Sequence, residues 1–179
     1  MSKNIRVIVF SAMCIALASV TSMIKVFEFP TGGSITLASS LFAVLPGFFY
    51  GPVIGIAAGF AHGILQFFLG PYILTPVQVF IDYGLAFAAF GLSGFFSNKK
   101  YGLHKGYVLA CAGRWFFNFL SGWIFFGEYA WEGWNAAAYS AVYNIIYIAG
   151  EAVVVLILIS IPAVSNALKS AKAMALGDK

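Results

Sequence analysis

Six long apolar stretches alternate with short polar connections along the chain. A helix needs about 20 apolar residues to cross a membrane, so this pattern predicts an all-α bundle of six transmembrane helices. The second and third stretches are short and meet at a Tyr-Gly-Pro turn signal. The predicted spans are Ile5–Phe27, Ile35–Tyr50, Pro52–Leu69, Pro76–Phe96, Gly106–Phe126 and Ala136–Val164.

The composition supports this interpretation. Hydrophobic residues make up 61% of the chain and charged residues only 9%, whereas soluble domains carry about 25% charged residues. We expect one membrane-embedded domain over residues 1–179, surrounded by lipid. The net charge of +4 gives no reason to expect a nucleic-acid partner, because the basic residues lie at the ends of spans. Cys14 and Cys111 lie in apolar runs, where packing is the expected role.

Basic residues predict the orientation, because they are enriched on the cytoplasmic side of membrane proteins. With both termini cytoplasmic, eight of them fall inside and only Lys25 falls outside. The eight are Lys3, Arg6, Lys99, Lys100, Lys105, Lys169, Lys172 and Lys179.

Polar residues of the last three spans are predicted to share one outer layer. At 1.5 Å per residue, Asp82 lies roughly 9 Å below the outer surface, Asn118 roughly 12 Å and Gly122 roughly 6 Å. Tyr139 and Asn144 lie between roughly 4 and 12 Å. This arrangement indicates a pocket that opens outward. The alternative is that these groups only form hydrogen bonds between helices.

Asp82 is the most informative of these residues. An ionised Asp near the centre of a membrane helix costs about 2.5 kcal/mol or more. It therefore needs a protein partner, a ligand or a proton.

Four other polar residues within spans are predicted to have structural roles. His62 and Gln66 share one face of the third span, where hydrogen bonds between helices are the favoured interpretation. Arg114 and Glu151 both fall in the inner half of the bundle, so we expect a mutual ion pair.

Aromatic residues crowd the last outer loop, "FFGEYAWEGWN". Tyr129, Trp131 and Trp134 above a buried carboxylate suit a flat, cationic, nitrogen-rich ring. The alternative is an ordinary interfacial belt. The sequence contains no Walker, HExxH or GxSxG motif, so we expect neither an enzyme nor ATP hydrolysis by this chain alone, and no cofactor or metal.

Several stretches resemble the thiamin-specific substrate-binding subunit (S-component) of energy-coupling factor (ECF) transporters. They are "GGSITLAS", "PVQVFIDYGLAFAAFGLSGFF" and "FFNFLSGWIFFGEYAWEGWNAAAYSAVYN", and the aromatic loop followed by AxYSxxxN is the most specific part. "AMCIA" resembles the AxxxA motif of the family's first helix.

The resemblance implies a thiamin-binding membrane subunit in the bacterial cell membrane. It implies a transmembrane coupling protein, which contacts Ala12 and Ala16, and two ATPase subunits. It also implies a set of substrate-binding residues: Asp82, Tyr83, Asn118, Gly122, Phe126, Trp131, Tyr139 and Asn144. The chain departs from the family pattern at Asp82, Asn118 and Phe126, where that pattern has Glu, His and Trp.

Three other functions stay open at this point. The same subunit type could take another vitamin or a thiamin precursor. An intramembrane enzyme would need a proton-transfer pair, for which only Arg114 and Glu151 are candidates. A purely structural subunit would bind no small molecule.

Overall fold

The computed structural model describes residues 2–29 and 32–177. The helices are α1 Lys3–Ser22, α2 Ser39–Tyr50, α3 Pro52–Leu69, α4 Pro76–Phe96, α5 Gly102–Phe125, α6 Ala136–Ser160 and α7 Pro162–Leu176. A short turn of 3₁₀ helix, Gly127–Tyr129, lies between α5 and α6. Two strands, β1 Lys25–Glu28 and β2 Ser34–Thr36, pair antiparallel between α1 and α2.

Five of the helices are long and apolar enough to cross a membrane: α1, α3, α4, α5 and α6. They confirm five of the predicted spans in position. The second span is shorter than predicted, because Ile35 belongs to β2 and the helix begins only at Ser39. Its 12 residues extend about 18 Å.

The ends of two other predicted spans were wrong. The first span was predicted to reach Phe27, but α1 ends at Ser22 and Phe27 lies in β1. The last was predicted to reach Val164, but α6 ends at Ser160 and Pro162 begins α7. Proline is favoured in the first turn of a helix, where its missing N–H is not needed.

Helix α2 lies at the centre of the bundle. Leu41, Val44 and Phe49 are buried, together with Phe90 of α4 and Val155 of α6. By contrast, Cys14 and Ala18 are the buried residues of α1. Helix α1 therefore lies on the outside of the bundle. The predicted packing role of Cys14 is confirmed, and neither Cys14 nor Cys111 is in a disulfide.

Helix α7 covers one end of the bundle. Lys172 donates hydrogen bonds to the backbone oxygen and the hydroxyl of Ser97, and its ammonium lies 4.2 Å from the centre of the Phe48 ring. Tyr50 donates to the backbone oxygen of Ala175 over 3.2 Å. These contacts hold α7 against the ends of α2 and α4.

Glycines allow α2, α3 and α4 to pack with their backbones in contact. A Cβ atom added at Gly91 of α4 would overlap the backbone of Gly55 and Ile56 in α3. Small residues at such crossings are the usual means of close helix packing in membranes. Because backbone atoms surround Gly91, a side chain there has nowhere to move.

Gly91→Ala is therefore expected to destabilise the bundle. Overpacking of this kind costs about 1–3 kcal/mol, which corresponds to a fall in Tm of roughly 2–12 °C for a chain of this size. Thermal unfolding in detergent measures the shift. Gly70→Ala is the matched control, because no heavy atom lies within 4 Å of a Cβ at that position. Equal melting temperatures for the two variants would contradict the packing argument.

Candidate functional site

A cavity of about 190 Å³ lies between the hairpin and helices α1, α3, α4, α5 and α6. A single buried water needs only about 10–15 Å³, so the space suits a small organic molecule. Seven of the eight predicted binding residues line it: Asp82, Tyr83, Asn118, Gly122, Phe126, Tyr139 and Asn144. The five residues that were grouped by depth, Asp82, Asn118, Gly122, Tyr139 and Asn144, thus line one cavity. Their role in binding stays a prediction.

Asp82 lies in an irregular part of α4. Residues Phe80–Leu85 form a π-helical turn. Its backbone hydrogen bonds join residues five apart in the chain, instead of four apart as in an α-helix. Such turns often occur at functional sites. The π turn holds Asp82 and Tyr83 so that both line the cavity.

Gln78 is the protein partner of Asp82. Its side-chain amide donates a hydrogen bond to Oδ2 of Asp82 and another, 3.2 Å long, to the backbone oxygen of Tyr72. Its amide oxygen accepts from the backbone N–H of Leu74. Gln78 is only 1% exposed, so the surrounding protein fixes its orientation. It therefore holds the Asp82 carboxylate in one direction.

Tyr83 lines the cavity next to Asp82. Its hydroxyl accepts a 2.9 Å hydrogen bond from the backbone N–H of Tyr72, which ties the loop before α4 to the π turn. Its ring stacks on Phe87, with 7° between the planes.

Asn118 and Asn144 form a buried polar network with Tyr147. The Asn118 amide donates to the Tyr147 hydroxyl over 2.8 Å, and that hydroxyl donates to the Asn144 side-chain oxygen over 2.7 Å. The Asn144 amide donates to the backbone oxygen of Ser140 over 2.8 Å and to that of Asn118 over 3.3 Å. Because buried polar groups that satisfy each other are rigid, this network fixes α5 against α6.

Gly122 lines the cavity because it has no side chain. A Cβ atom there would overlap the Ser140 hydroxyl and crowd the amide of Asn144. Gly122 thus lets the polar network reach the cavity wall.

Aromatic rings surround the mouth of the cavity. The centres of the Tyr72 and Phe126 rings lie 5.6 Å apart, and the Tyr72 hydroxyl donates to that of Tyr129 over 2.8 Å. This hydrogen bond raises the pKa of Tyr72, because ionisation would remove the donated proton. Sequence reasoning missed Tyr72, since it lies in an irregular loop with no helical period.

Trp131 does not line the cavity. It is 42% exposed. The centre of its ring lies 5.2 Å from the centres of the Tyr139 and Trp134 rings, and both pairs meet edge to face. Trp131 is therefore one ring away from the cavity, behind Tyr139.

The hairpin forms the opposite wall. The backbone N–H of Gly33 donates to the Tyr143 hydroxyl over 3.0 Å, and the Phe29 ring meets Tyr143 edge to face. These contacts place β1 and β2 against α6. The predicted spans instead assigned residues 25–27 and 35–36 to helices and left only the segment between them as a loop.

Glu151 anchors the wall formed by the hairpin. The Glu151 carboxylate accepts hydrogen bonds from the backbone N–H and the hydroxyl of both Thr36 and Ser40. The predicted ion pair between Glu151 and Arg114 was wrong. Carboxylates are favourable at the N-terminus of a helix, where N–H groups are unpaired, and Ser40 is in the first turn of α2. Together with a longer hydrogen bond of 3.4 Å from the Ser39 hydroxyl, these donors stabilise Glu151 without a cation among the described residues.

Arg114 instead packs against aromatic rings. Its guanidinium carbon lies 4.9 Å from the centre of the Phe87 ring and 5.1 Å from that of Phe90. It lines the same cavity as Asp82, although it was predicted to belong to a separate inner layer. The pair needed for an intramembrane enzyme is therefore not formed by Arg114 and Glu151.

His62 and Gln66 confirm the prediction of hydrogen bonds between helices. The His62 Nδ1 atom lies 3.2 Å from the Ser19 hydroxyl, and the Gln66 amide donates to the Ser22 hydroxyl over 2.8 Å. Both bonds join α3 to α1, and both residues also line the cavity.

Ala12 and Ala16 are exposed on α1. Both residues are therefore on the surface of the described bundle. Their role in partner binding stays a prediction.

Comparisons with known proteins agree on one family. The thiamine transporter protein family model matches residues 8–170. Thiamine transporter ThiT of Bacillus subtilis (strain 168) is 29% identical over 160 residues, which cover 80% of each chain. The protein of the same name from Lacticaseibacillus paracasei is 32% identical over 104 residues, covering 49% of this chain and 52% of that one.

A solved structure extends the likeness to the fold. ThiT from Listeria monocytogenes superposes with a TM-score of 0.81 at 28% identity, over 97% of this chain and 99% of that one. Together with its apolar helices, these matches show a multi-pass membrane protein of the transporter type, not an enzyme. The family model covers nearly the whole described bundle, and we conclude that the chain belongs to the thiamine transporter protein family.

Proposed function

We propose that this chain is the thiamin-binding subunit of an ECF-type uptake transporter in the bacterial cell membrane. The observation that carries the proposal is a cavity that combines the partly buried carboxylate of Asp82 with aromatic walls, in a chain of the thiamine transporter protein family. Thiamin is a flat aminopyrimidine joined to a thiazolium ring with a fixed positive charge. Such a ligand matches both features.

Asp82 supplies the charge in this proposal. A carboxylate accepts hydrogen bonds from an aminopyrimidine and attracts a thiazolium, and charge-assisted hydrogen bonds are about twice as strong as neutral ones. Gln78 orients the carboxylate before the ligand arrives. Preorganisation of this kind lowers the entropic cost of binding.

The remaining predicted residues shape the cavity around the ligand. Tyr83, Phe126 and Tyr139 offer ring faces for stacking, while the network of Asn118 and Asn144 supplies polar groups along the α5–α6 wall. Trp131 contributes through its contact with Tyr139, or directly if the outer loop closes over the ligand. Gly122 keeps space open.

Transport requires partners, since the sequence contains no ATP-binding motif. We assign this role to a transmembrane coupling protein and two ATPase subunits. The coupling protein packs on the strip of Ala12 and Ala16, which is exposed on α1. Small residues one turn apart let a second helix approach closely.

The proposed membrane arrangement has six helices, with α2 as the short one and both termini in the cytoplasm. The distribution of basic residues supports this orientation. The mouth of the cavity then opens outward.

Asp82→Asn tests the ligand contact. The variant keeps the shape and can still accept the hydrogen bond from Gln78, so it should fold. Loss of a charged hydrogen bond costs about 1.5–3 kcal/mol, which weakens thiamin binding roughly ten- to hundredfold. Titration calorimetry of the purified protein measures this. Glu132→Gln is the control, because Glu132 is exposed outside the cavity. Wild-type affinity in Asp82→Asn would exclude the contact.

Ala12→Leu and Ala16→Leu test the partner surface. Both should block ATP-driven thiamin uptake when expressed with the coupling protein and the ATPases, because a bulky side chain prevents close helix packing. Thiamin binding by the isolated chain should be unchanged. Ala112→Leu makes the same substitution at an exposed position of α5 and should transport normally. Normal uptake in the α1 variants would contradict the assignment.

Cysteine labelling tests the orientation. In a chain with Cys14 and Cys111 replaced by Ala, Lys100→Cys should resist a membrane-impermeant thiol reagent added to intact cells. It should react after the cells are opened, because the positive-inside rule places Lys100 in the cytoplasm. Glu132→Cys is the matched outer position and should react in intact cells. The opposite pattern would reverse the topology.

A further inference from the structure

Exposed cations crowd the connection between α4 and α5. Because α4 begins and α5 ends beside the mouth of the cavity, this connection lies at the other end of the bundle. Lys99, Lys100 and Lys105 are exposed, and their ammonium groups form no ion pair or hydrogen bond with any described residue. Lys172, by contrast, is bonded to the end of α4. The three lysines are therefore available to a partner outside the chain.

No carboxylate of the described residues balances this charge. The acidic residues described are Glu28, Asp82, Glu128, Glu132 and Glu151, and none of them belongs to the connection, to the first turns of α5 or to α7. Clusters of basic residues at a membrane surface attract the headgroups of anionic phospholipids. The charge of this end of the bundle is thus complementary to such lipids.

Tyr101 has an unusual conformation within the same connection. Its backbone φ is 56°, in the left-handed region that is unfavourable for residues with a side chain. The side chain is 66% exposed. The Lys100 ammonium lies 5.4 Å from the centre of its ring, and the His104 ring meets it edge to face at 6.2 Å. Tyrosine is enriched where membrane and water meet, so an outward ring at this position suits a lipid headgroup.

His104 fixes the connection to the neighbouring helix. Its Nε2 atom lies 3.1 Å from the Ser160 hydroxyl oxygen. The Ser160 hydroxyl donates its own proton to the backbone oxygen of Leu156 over 2.7 Å, so the histidine nitrogen is the donor in the first bond. This bond joins the first turn of α5 to the last residue of α6. The cationic surface is therefore preorganised, which lowers the entropic cost of binding.

An exposed apolar strip continues from the cations along α5. Lys105 follows Tyr101 by four residues, and Val108 and Phe116 come seven and fifteen residues after Tyr101, so all four share one helix face. Val108 is 52% exposed and Phe116 is 49% exposed. The helix rises about 16 Å from Lys105 to Phe116, and the hydrocarbon layer of one membrane leaflet is about 15 Å thick. The strip thus has the length of an acyl chain that lies in one leaflet.

We propose that this face of α5 binds one anionic phospholipid. The lipid phosphate lies between the ammonium groups of Lys100 and Lys105 and accepts a hydrogen bond from the Tyr101 hydroxyl. An acyl chain of the same lipid lies along Val108 and Phe116. The surface is separate from the cavity, so the inference does not depend on the proposed ligand.

Native mass spectrometry of the delipidated protein in detergent tests the site. Titration with phosphatidylglycerol and with phosphatidylcholine gives an apparent Kd for each lipid, and the wild type should prefer phosphatidylglycerol. Lys100→Gln/Lys105→Gln should raise the phosphatidylglycerol Kd roughly tenfold or more and leave that of phosphatidylcholine unchanged. Lys3→Gln/Lys169→Gln is the matched control, because it removes the same charge from other exposed positions. It should bind both lipids as the wild type does.

Tyr101→Gly separates lipid binding from folding. Glycine adopts a positive φ without strain, so the melting temperature of this variant should not fall below that of the wild type. The phosphatidylglycerol Kd should nevertheless rise severalfold, because the variant lacks the phenol. Thermal unfolding and the same lipid titration measure the two effects. If the double lysine variant does not fold, an unchanged phosphatidylglycerol Kd in Tyr101→Gly rejects the site.

Three other outcomes would overturn the inference. Equal wild-type Kd values for the two lipids would exclude a preference for the anionic headgroup. Equal losses in the two double lysine variants would show attraction by overall charge and no local site. A Lys100→Gln/Lys105→Gln variant that keeps its lipid affinity but no longer assembles with the coupling protein would make this a protein interface. Thiamin calorimetry on the same samples tests the proposed function separately, since the variants should bind thiamin as tightly as the wild type.

Discussion

The Glu151 carboxylate holds together the parts of the molecule on which the cavity depends. Its hydrogen bonds with Thr36 and Ser40 join residues 111 and 115 positions apart in the chain. They fix the end of the hairpin and the start of α2 to the middle of α6. A buried carboxylate that lost these donors would be strongly destabilising. The contacts of Phe29 and Gly33 with Tyr143 also hold the hairpin beside the cavity.

A second constraint acts on the wall of the cavity formed by the π turn of α4. A turn of regular α-helix contains about one residue fewer than a π-helical turn. In a regular helix, the side chains of Asp82 and Tyr83 would therefore point in other directions. Gln78, one turn earlier, completes the arrangement because it is bonded to Asp82 and to the loop at Tyr72. Each of these walls therefore carries a carboxylate, but the surroundings of the two carboxylates differ. Glu151 is buried and accepts hydrogen bonds from backbone and hydroxyl donors, whereas Asp82 is only partly buried and has the amide of Gln78 as its partner.

Much of this arrangement follows from the sequence, for identifiable reasons. Uninterrupted apolar runs place the long helices, and depth along them groups Asp82, Asn118 and Asn144 in one layer. The hairpin could not be recognised, because "KVFE" has no alternating pattern and continues the apolar run of α1. The partners of Glu151 could not be predicted from the sequence either. Pairing by charge favours Arg114, while the actual donors are neutral groups far away in the chain. Trp131 lies in the loop between α5 and α6, as the sequence predicts, but only the fold puts Tyr139 between it and the cavity.

Helix α1 connects the proposed ligand-binding cavity with the proposed surface for the coupling protein. On its outer side, Ala12 and Ala16 are exposed, whereas Ser19 and Ser22, one to two turns later, contact His62 and Gln66 in the cavity wall. The helix has few buried residues, so these two hydrogen bonds are a large part of its attachment to α3 at that end. A partner that shifts α1 would therefore strain the wall of the cavity directly. Equally, a ligand that holds this wall would favour one position of α1, because coupling between two sites acts equally in both directions.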